Sequence, residues 1–169
     1  TDLAPDVINN SWGCTVPEGC SDVNILKTVV ESVRAAGILT VNSAGNSGST
    51  CSTVNQPPAI YDASFTVGAT DSTDLIASFS SRGPVTVDGS NRLKPDVSAP
   101  GVSVRSSYPS DAYAYLNGTS MAAPHVAGLV GLLISAAPHL AGQVDQLENI
   151  ITQSAVPRTT SQVCGGVSG

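Results

Sequence analysis

The chain has 169 residues, 41% of them hydrophobic and 12% charged, which suits one packed domain and excludes a disordered segment. Its formal net charge of -6 is spread thinly with no run of Lys or Arg, which excludes a nucleic-acid footprint and a basic membrane-binding face. No stretch reads as the roughly 20 apolar residues of a membrane span, and any export signal is expected upstream of Thr1.

In chain order, Val7 to Asn10 is a short apolar run ending in polar residues, and Ile25 to Ala36 repeats apolar residues at helical spacing behind Ser21 or Asp22 as candidate caps. Gly37 supplies a stop, Ile38 to Val41 is another apolar run, and the Gly-rich Ser43 to Gly48 completes a β-α-β unit. Such units predict an α/β fold with a parallel sheet. From Ser52 to Pro109 short β-rich pieces (Phe65 to Ala69, Ile76 to Phe79, Val102 to Ser106) alternate with loops, and Pro57 and Pro58 mark a rigid turn. Ser120 to Ser135 is apolar almost all round and uncharged, which predicts a helix buried inside a larger fold, and Gln143 to Gln153 is a second, amphipathic helix. No repeat, low-complexity tract or linker interrupts residues 1–169, so they read as one continuous piece.

Cys14, Cys20, Cys51 and Cys164 lack the paired spacing of a zinc site, and an even count beside low charge density reads as two disulfides in an exported protein. Four cysteines allow three pairings. The tight Pro/Gly loop favours Cys14 with Cys20, leaving Cys51 with Cys164, although spacing does not decide among the three.

The run Asn117-Gly118-Thr119-Ser120-Met121-Ala122-Ala123-Pro124-His125 places a serine where loop becomes helix. Unpaired amides and the positive dipole end there can steady negative charge developing on a carbonyl oxygen. Alone, the segment reads equally as an ordinary helix cap by Thr119 or Ser120. Four further segments add weight: Asn10-Ser11-Trp12-Gly13, Ser43-Ala44-Gly45-Asn46-Ser47-Gly48, Ala77-Ser78-Phe79-Ser80-Ser81-Arg82-Gly83-Pro84 and Pro95-Asp96-Val97-Ser98-Ala99-Pro100-Gly101-Val102. In this order they resemble the subtilisin-like serine proteases, and among them the bacillopeptidase F-like branch. The resemblance covers nearly the whole chain.

It implies a three-layer α/β fold with a mainly parallel sheet, of which residues 1–169 are the C-terminal portion and the N-terminal half is absent. Ser120 becomes the acyl-forming nucleophile, and Asn46 the side-chain donor of the oxyanion hole beside the Ser120 amide. Ser11, Trp12 and Gly13, with Ser43, Ala44 and Gly45, become two backbone walls that bind an extended polypeptide substrate as an added strand. Trp12 stands where the family often has a smaller apolar residue, which implies a reshaped subsite; its other reading is a packed aromatic. The resemblance places Cys51 near the base of that pocket, a cis peptide before Pro58, and a buried Asn117 that hydrogen-bonds the loop.

Two histidines are present, and neither suits a general base. Five helical residues turn about 500°, carrying His125 about 140° off the Ser120 face; the resemblance makes it a buried, non-catalytic residue. His139 follows Pro138 beyond the helix and is expected at the surface. In this family the acid and base precede the serine in the order Asp, His, Ser, so both are expected upstream, the missing N-terminal half is the implied partner, and the piece alone is expected to be inactive. A secreted endopeptidase needing no cofactor is the leading reading, and a non-catalytic binding or scaffold module built on a protease half is the alternative. An α/β hydrolase lacks its Gly-x-Ser-x-Gly elbow here. The resemblance leaves room for a structural calcium ion, but no acidic cluster is assignable as its ligands.

Overall fold

The computed structural model describes residues 4–158, 163–164 and 167–168. Its main sheet has four parallel strands, β1 (Val7–Asn10), β2 (Leu39–Ser43), β3 (Phe65–Thr70) and β4 (Val97–Pro100), side by side in that order. Val7 stands opposite Leu39, Val41 opposite Phe65, and Val67 opposite Val97. Helix α1 (Lys27–Ala35) carries the chain from β1 to β2, while α2 (Thr119–Ala136) and α3 (Val144–Ser154) follow the last sheet strand. Two antiparallel pairs complete the fold: β5 (Val104–Tyr108) with β6 (Ala112–Leu116), and β7 (Val163–Cys164) with β8 (Val167–Ser168).

Alternation along the strands sorts the core in two. Leu39, Val41, Val67 and Ala69 pack with Ala122, Ala123, Val126 and Val130 of α2 and Leu147 and Ile151 of α3. Across the sheet, Ala44 joins Val30 of α1 in a second cluster with Val54, Ile60, Tyr61 and Val85. Both expected disulfides, Cys14–Cys20 and Cys51–Cys164, are present, and the peptide before Pro58 is cis.

The structure corrects the sequence reading at several points. Ile76 to Phe79 is no strand but a single bridge from Ile76 to Thr70, whereas Val97–Pro100, which reads as loop, pairs with β3 because tertiary context overrides its weak local preference. Neither Ser21 nor Asp22 caps α1, whose N-cap is Leu26; Asp22 Oδ1 instead accepts from the Asn24 N–H at 2.9 Å in the turn before it. By length and composition α2 does match a membrane span, and its packing on all four sheet strands marks it as a core helix. Nor is it buried all round: Thr119, Ala122, Ala123, Val126 and Val130 form the covered stripe, while His125, Gly128, Leu129 and Leu132 form an uncovered one, with Leu132 69% exposed.

One buried ion pair ties the lower ends of β3 and β4. The Lys94 ammonium, 3% exposed, donates to Ser64 O and Asp96 Oδ2, both at 2.6 Å, and Asp96 Oδ2 also accepts from the Thr66 N–H at 2.6 Å. Lys94→Met is expected to lower unfolding stability by about 2–4 kcal/mol, near the low end for stranding one partner of a buried pair because Asp96 is a quarter exposed. Urea unfolding of the full-length protein measures it; a loss below ~0.5 kcal/mol would show that the pair is dispensable.

Candidate active site

The carboxyl ends of β1 and β2 and the amino end of α2 meet at one edge of the sheet, the edge where open parallel sheets gather ligands. Ser11 follows β1 directly, Ser43, Ala44, Gly45 and Asn46 run off the end of β2, and Ser120 is the second residue of α2. The structure therefore brings Ser120, Asn46 and both expected walls together. Ser120 Oγ donates to Ser11 O at 3.3 Å, and Ser11 Oγ donates to Ser120 O at 3.0 Å.

Asn46 is fixed from one side. Its Oδ1 accepts from both the Thr119 N–H at 2.9 Å and the Thr119 hydroxyl at 3.0 Å. The Thr119 Oγ1 in turn accepts from the Gly45 N–H at 3.2 Å. With Oδ1 committed, Nδ2 points away from Thr119 and makes no hydrogen bond among the described residues; it lies 3.6 Å from where a Cβ on Gly118 would stand. Gly118 has φ +156°, a conformation side-chain-bearing residues rarely adopt, and this glycine lets the chain turn sharply into α2. Thr119, fully buried, does more than the cap role its sequence position suggests: it wires the β2 loop to the start of the helix.

The Ser80-Ser81 motif braces the loop from behind. The Ser81 N–H donates to Gly45 O at 3.0 Å, Ser81 Oγ accepts from the Ser47 N–H at 3.1 Å, and the Gly48 N–H donates to Phe79 O at 2.8 Å. On the other wall the Cys14 N–H donates to Pro57 O at 2.8 Å, and a Cβ on Gly13 would stand 2.6 Å from Gln56 Oε1. Gln56 thus packs against the first wall at Gly13, where a Cβ would require its carboxamide to shift. Sequence offered no signal for it. Trp12 is 49% exposed, so it is not a packed core aromatic among the described residues.

The remaining expectations divide. Asn117 does hold its loop, its Oδ1 accepting from the Ser103 N–H at 2.6 Å, but it is exposed rather than buried because it sits at the turn between β6 and α2. His125 is likewise exposed, on the uncovered stripe of α2, with Nδ1 at 2.8 Å from Met121 O in its own helix. His139 is at the surface, as its position after Pro138 suggests. Among the described residues no group of three or more His, Cys, Asp or Glu side chains is placed to hold a metal ion.

A family profile described as the subtilase family matches residues 2–166. The chain belongs to the subtilase family. Bacillopeptidase F of Bacillus subtilis (strain 168) is 42% identical over 166 residues, covering 95% of this chain and 11% of that protein. Subtilisin DY of Bacillus licheniformis is 48% identical over 132 residues, 77% of this chain and 43% of that protein. Among solved structures, a cold adapted subtilisin-like serine proteinase superimposes with a TM-score of 0.73 at 29% identity, over 91% of this chain and 50% of that one. The subtilase chain described here thus spans less than half the length of these two relatives, and its α/β architecture is subtilisin-like.

In the loop after Trp12 a carboxyl is held by its neighbours. Glu18 Oε2 accepts from the Thr15 hydroxyl at 2.6 Å and the Thr15 N–H at 2.8 Å, and these two bonds, the hydroxyl's first, hold its carboxyl below the ordinary value. A folded-state pKa that is lowered contributes stability above the unfolded value, near ~4.3, and loses it as pH falls through the folded value. The Thr15 amide is expected to be protected from hydrogen exchange at neutral pH and to lose that protection in acid, while Glu18→Ala leaves it unprotected throughout. Equal protection in both proteins at neutral pH would contradict the brace.

Proposed function

We propose that the protein carrying this chain is a secreted serine endopeptidase, in which Ser120 attacks a peptide carbonyl, Asn46 Nδ2 and the Ser120 N–H hold the resulting oxyanion, and the two walls receive the substrate backbone as an extended strand. One observation carries this reading: Thr119 takes up the acceptor end of Asn46 and leaves its donor end free beside Gly118 and the nucleophile. A donor fixed before substrate arrives needs no reorganisation as charge develops, which is what makes an oxyanion hole effective.

Neither histidine can act as base, since His125 turns to Met121 O on another face of α2 and His139 lies beyond the helix. The proton acceptor and its orienting carboxylate then come from a segment outside these residues, in the family order Asp, His, Ser. Two surfaces support docking of such a segment: the uncovered apolar stripe of α2 and the outer edge of β1, which is unpaired among the described residues. In the full protein the incoming histidine takes the Ser120 proton, acylation releases the amine half of the substrate, and water then clears the acyl group.

Treatment with a fluorophosphonate tests the assignment. The full-length protein is expected to be labelled at Ser120 and to hydrolyse peptides, and residues 1–169 alone to do neither. Absence of labelling in well-folded full-length protein would sink the protease reading and favour the binding module. Separately, Asn46→Ala is expected to lower kcat about 10²–10³-fold with little change in KM, a magnitude that comes from subtilisin's own oxyanion asparagine. A change confined to KM would remove Asn46 from the oxyanion hole.

A further inference from the structure

The carbonyl of Ser120 occupies an unusual position in its helix. In an α-helix the carbonyl of residue i accepts from the N–H of residue i+4, and for Ser120 that residue is Pro124, which has no N–H. The nucleophile's own carbonyl is therefore deprived of its helical partner. Its replacement comes from 109 residues away: Ser11 Oγ donates to Ser120 O at 3.0 Å. The Ser11 oxygen itself accepts from Asn9 Nδ2 at 2.9 Å, which leaves its single proton for Ser120 O. The return bond from Ser120 Oγ to Ser11 O closes a reciprocal pair between the first wall and the nucleophile.

We propose that Ser11 is a positioning residue whose hydroxyl substitutes for the helical hydrogen bond that Pro124 deletes, and so fixes the backbone of Ser120 against the substrate-binding wall. The inference rests on the protease reading above and goes beyond it, because there Ser11 serves only through its backbone. Proline within α2 frees a carbonyl that an alanine would bind internally, and the freed carbonyl is what Ser11, just past β1, captures. The strand that receives the peptide and the serine that attacks it are thereby held as one unit. Asn9 supports the arrangement at one remove by orienting the Ser11 hydroxyl.

The test uses the full-length protein, the rate of fluorophosphonate labelling at Ser120, and kcat and KM on a peptide substrate. Ser11→Ala is expected to slow labelling and lower kcat by about 10- to 100-fold, the scale of a small misplacement of a reacting group, with KM changed by less than about twofold. Ser11→Thr, which keeps a hydroxyl, should retain most of the rate. The decisive variant is Ser11→Ala combined with Pro124→Ala, whose new N–H returns a donor to Ser120 O; its labelling rate is expected to recover to within about threefold of the parent. Recovery in the double variant supports the proposal even if Ser11→Ala alone folds poorly. Labelling of Ser11→Ala at the parent rate, a loss confined to KM, or a double variant no faster than the single one would each overturn it. Failure of the parent protein to label is a different result, which removes the protease reading and this inference with it.

Discussion

A carboxamide has two ends, and Thr119 holds one end of Asn46. Both the backbone N–H and the hydroxyl of Thr119 converge on Asn46 Oδ1, and the same hydroxyl receives the Gly45 N–H. Each bond is worth on the order of 1 kcal/mol net, but their effect is geometric rather than energetic. They lock the end of β2 to the beginning of α2, set the free N–H of Asn46 next to Gly118, and leave Ser120 as the first residue past the junction. The braces behind the loop, from Phe79 and Ser81, and the Ser11 contact in front of it matter because this junction must hold one position. Under the protease reading, a donor that moved with each substrate would spend its energy on reorganisation instead of on the transition state.

The same economy explains α2. A helix apolar on every face is buried on every face in a finished fold, yet here only the stripe from Thr119 through Val130 is covered. The stripe through Leu129 and Leu132 is as apolar and lies open, and β1 on the flank of the sheet has no outer neighbour among the described residues. Under the protease reading these surfaces are where further polypeptide would pack, although His125 on the same stripe of α2 faces away from Ser120.

Much of this was legible in the sequence, and the physical reason is local. The β-α-β unit from Val7 to Ser43 shows because period-2 and period-3.6 patterns and the Gly37 stop are written within short windows. The serine at a helix start and the Asn on a Gly-flanked turn show for the same reason. What escaped depended on distance. Val97–Pro100 becomes a strand only because Phe65–Thr70 lies beside it. Gln56 meets Gly13, and Ser11 meets Ser120, across 43 and 109 residues, with no periodicity to announce them. Family resemblance puts His125 and Asn117 inside, and their exposure here follows from an uncovered helix face in one case and a turn in the other.

The most direct test of the account is a crystal structure of the full-length protein after reaction with a peptide boronate or aldehyde, which forms a tetrahedral adduct on a nucleophilic serine. The account predicts a bond from the adduct to Ser120 Oγ, with the adduct oxygen about 2.7–3.1 Å from both Asn46 Nδ2 and the Ser120 N–H nitrogen, and the peptide lying between Ser11–Gly13 and Ser43–Gly45. An adduct on another residue, or an oxygen turned away from Asn46 toward solvent, would contradict it.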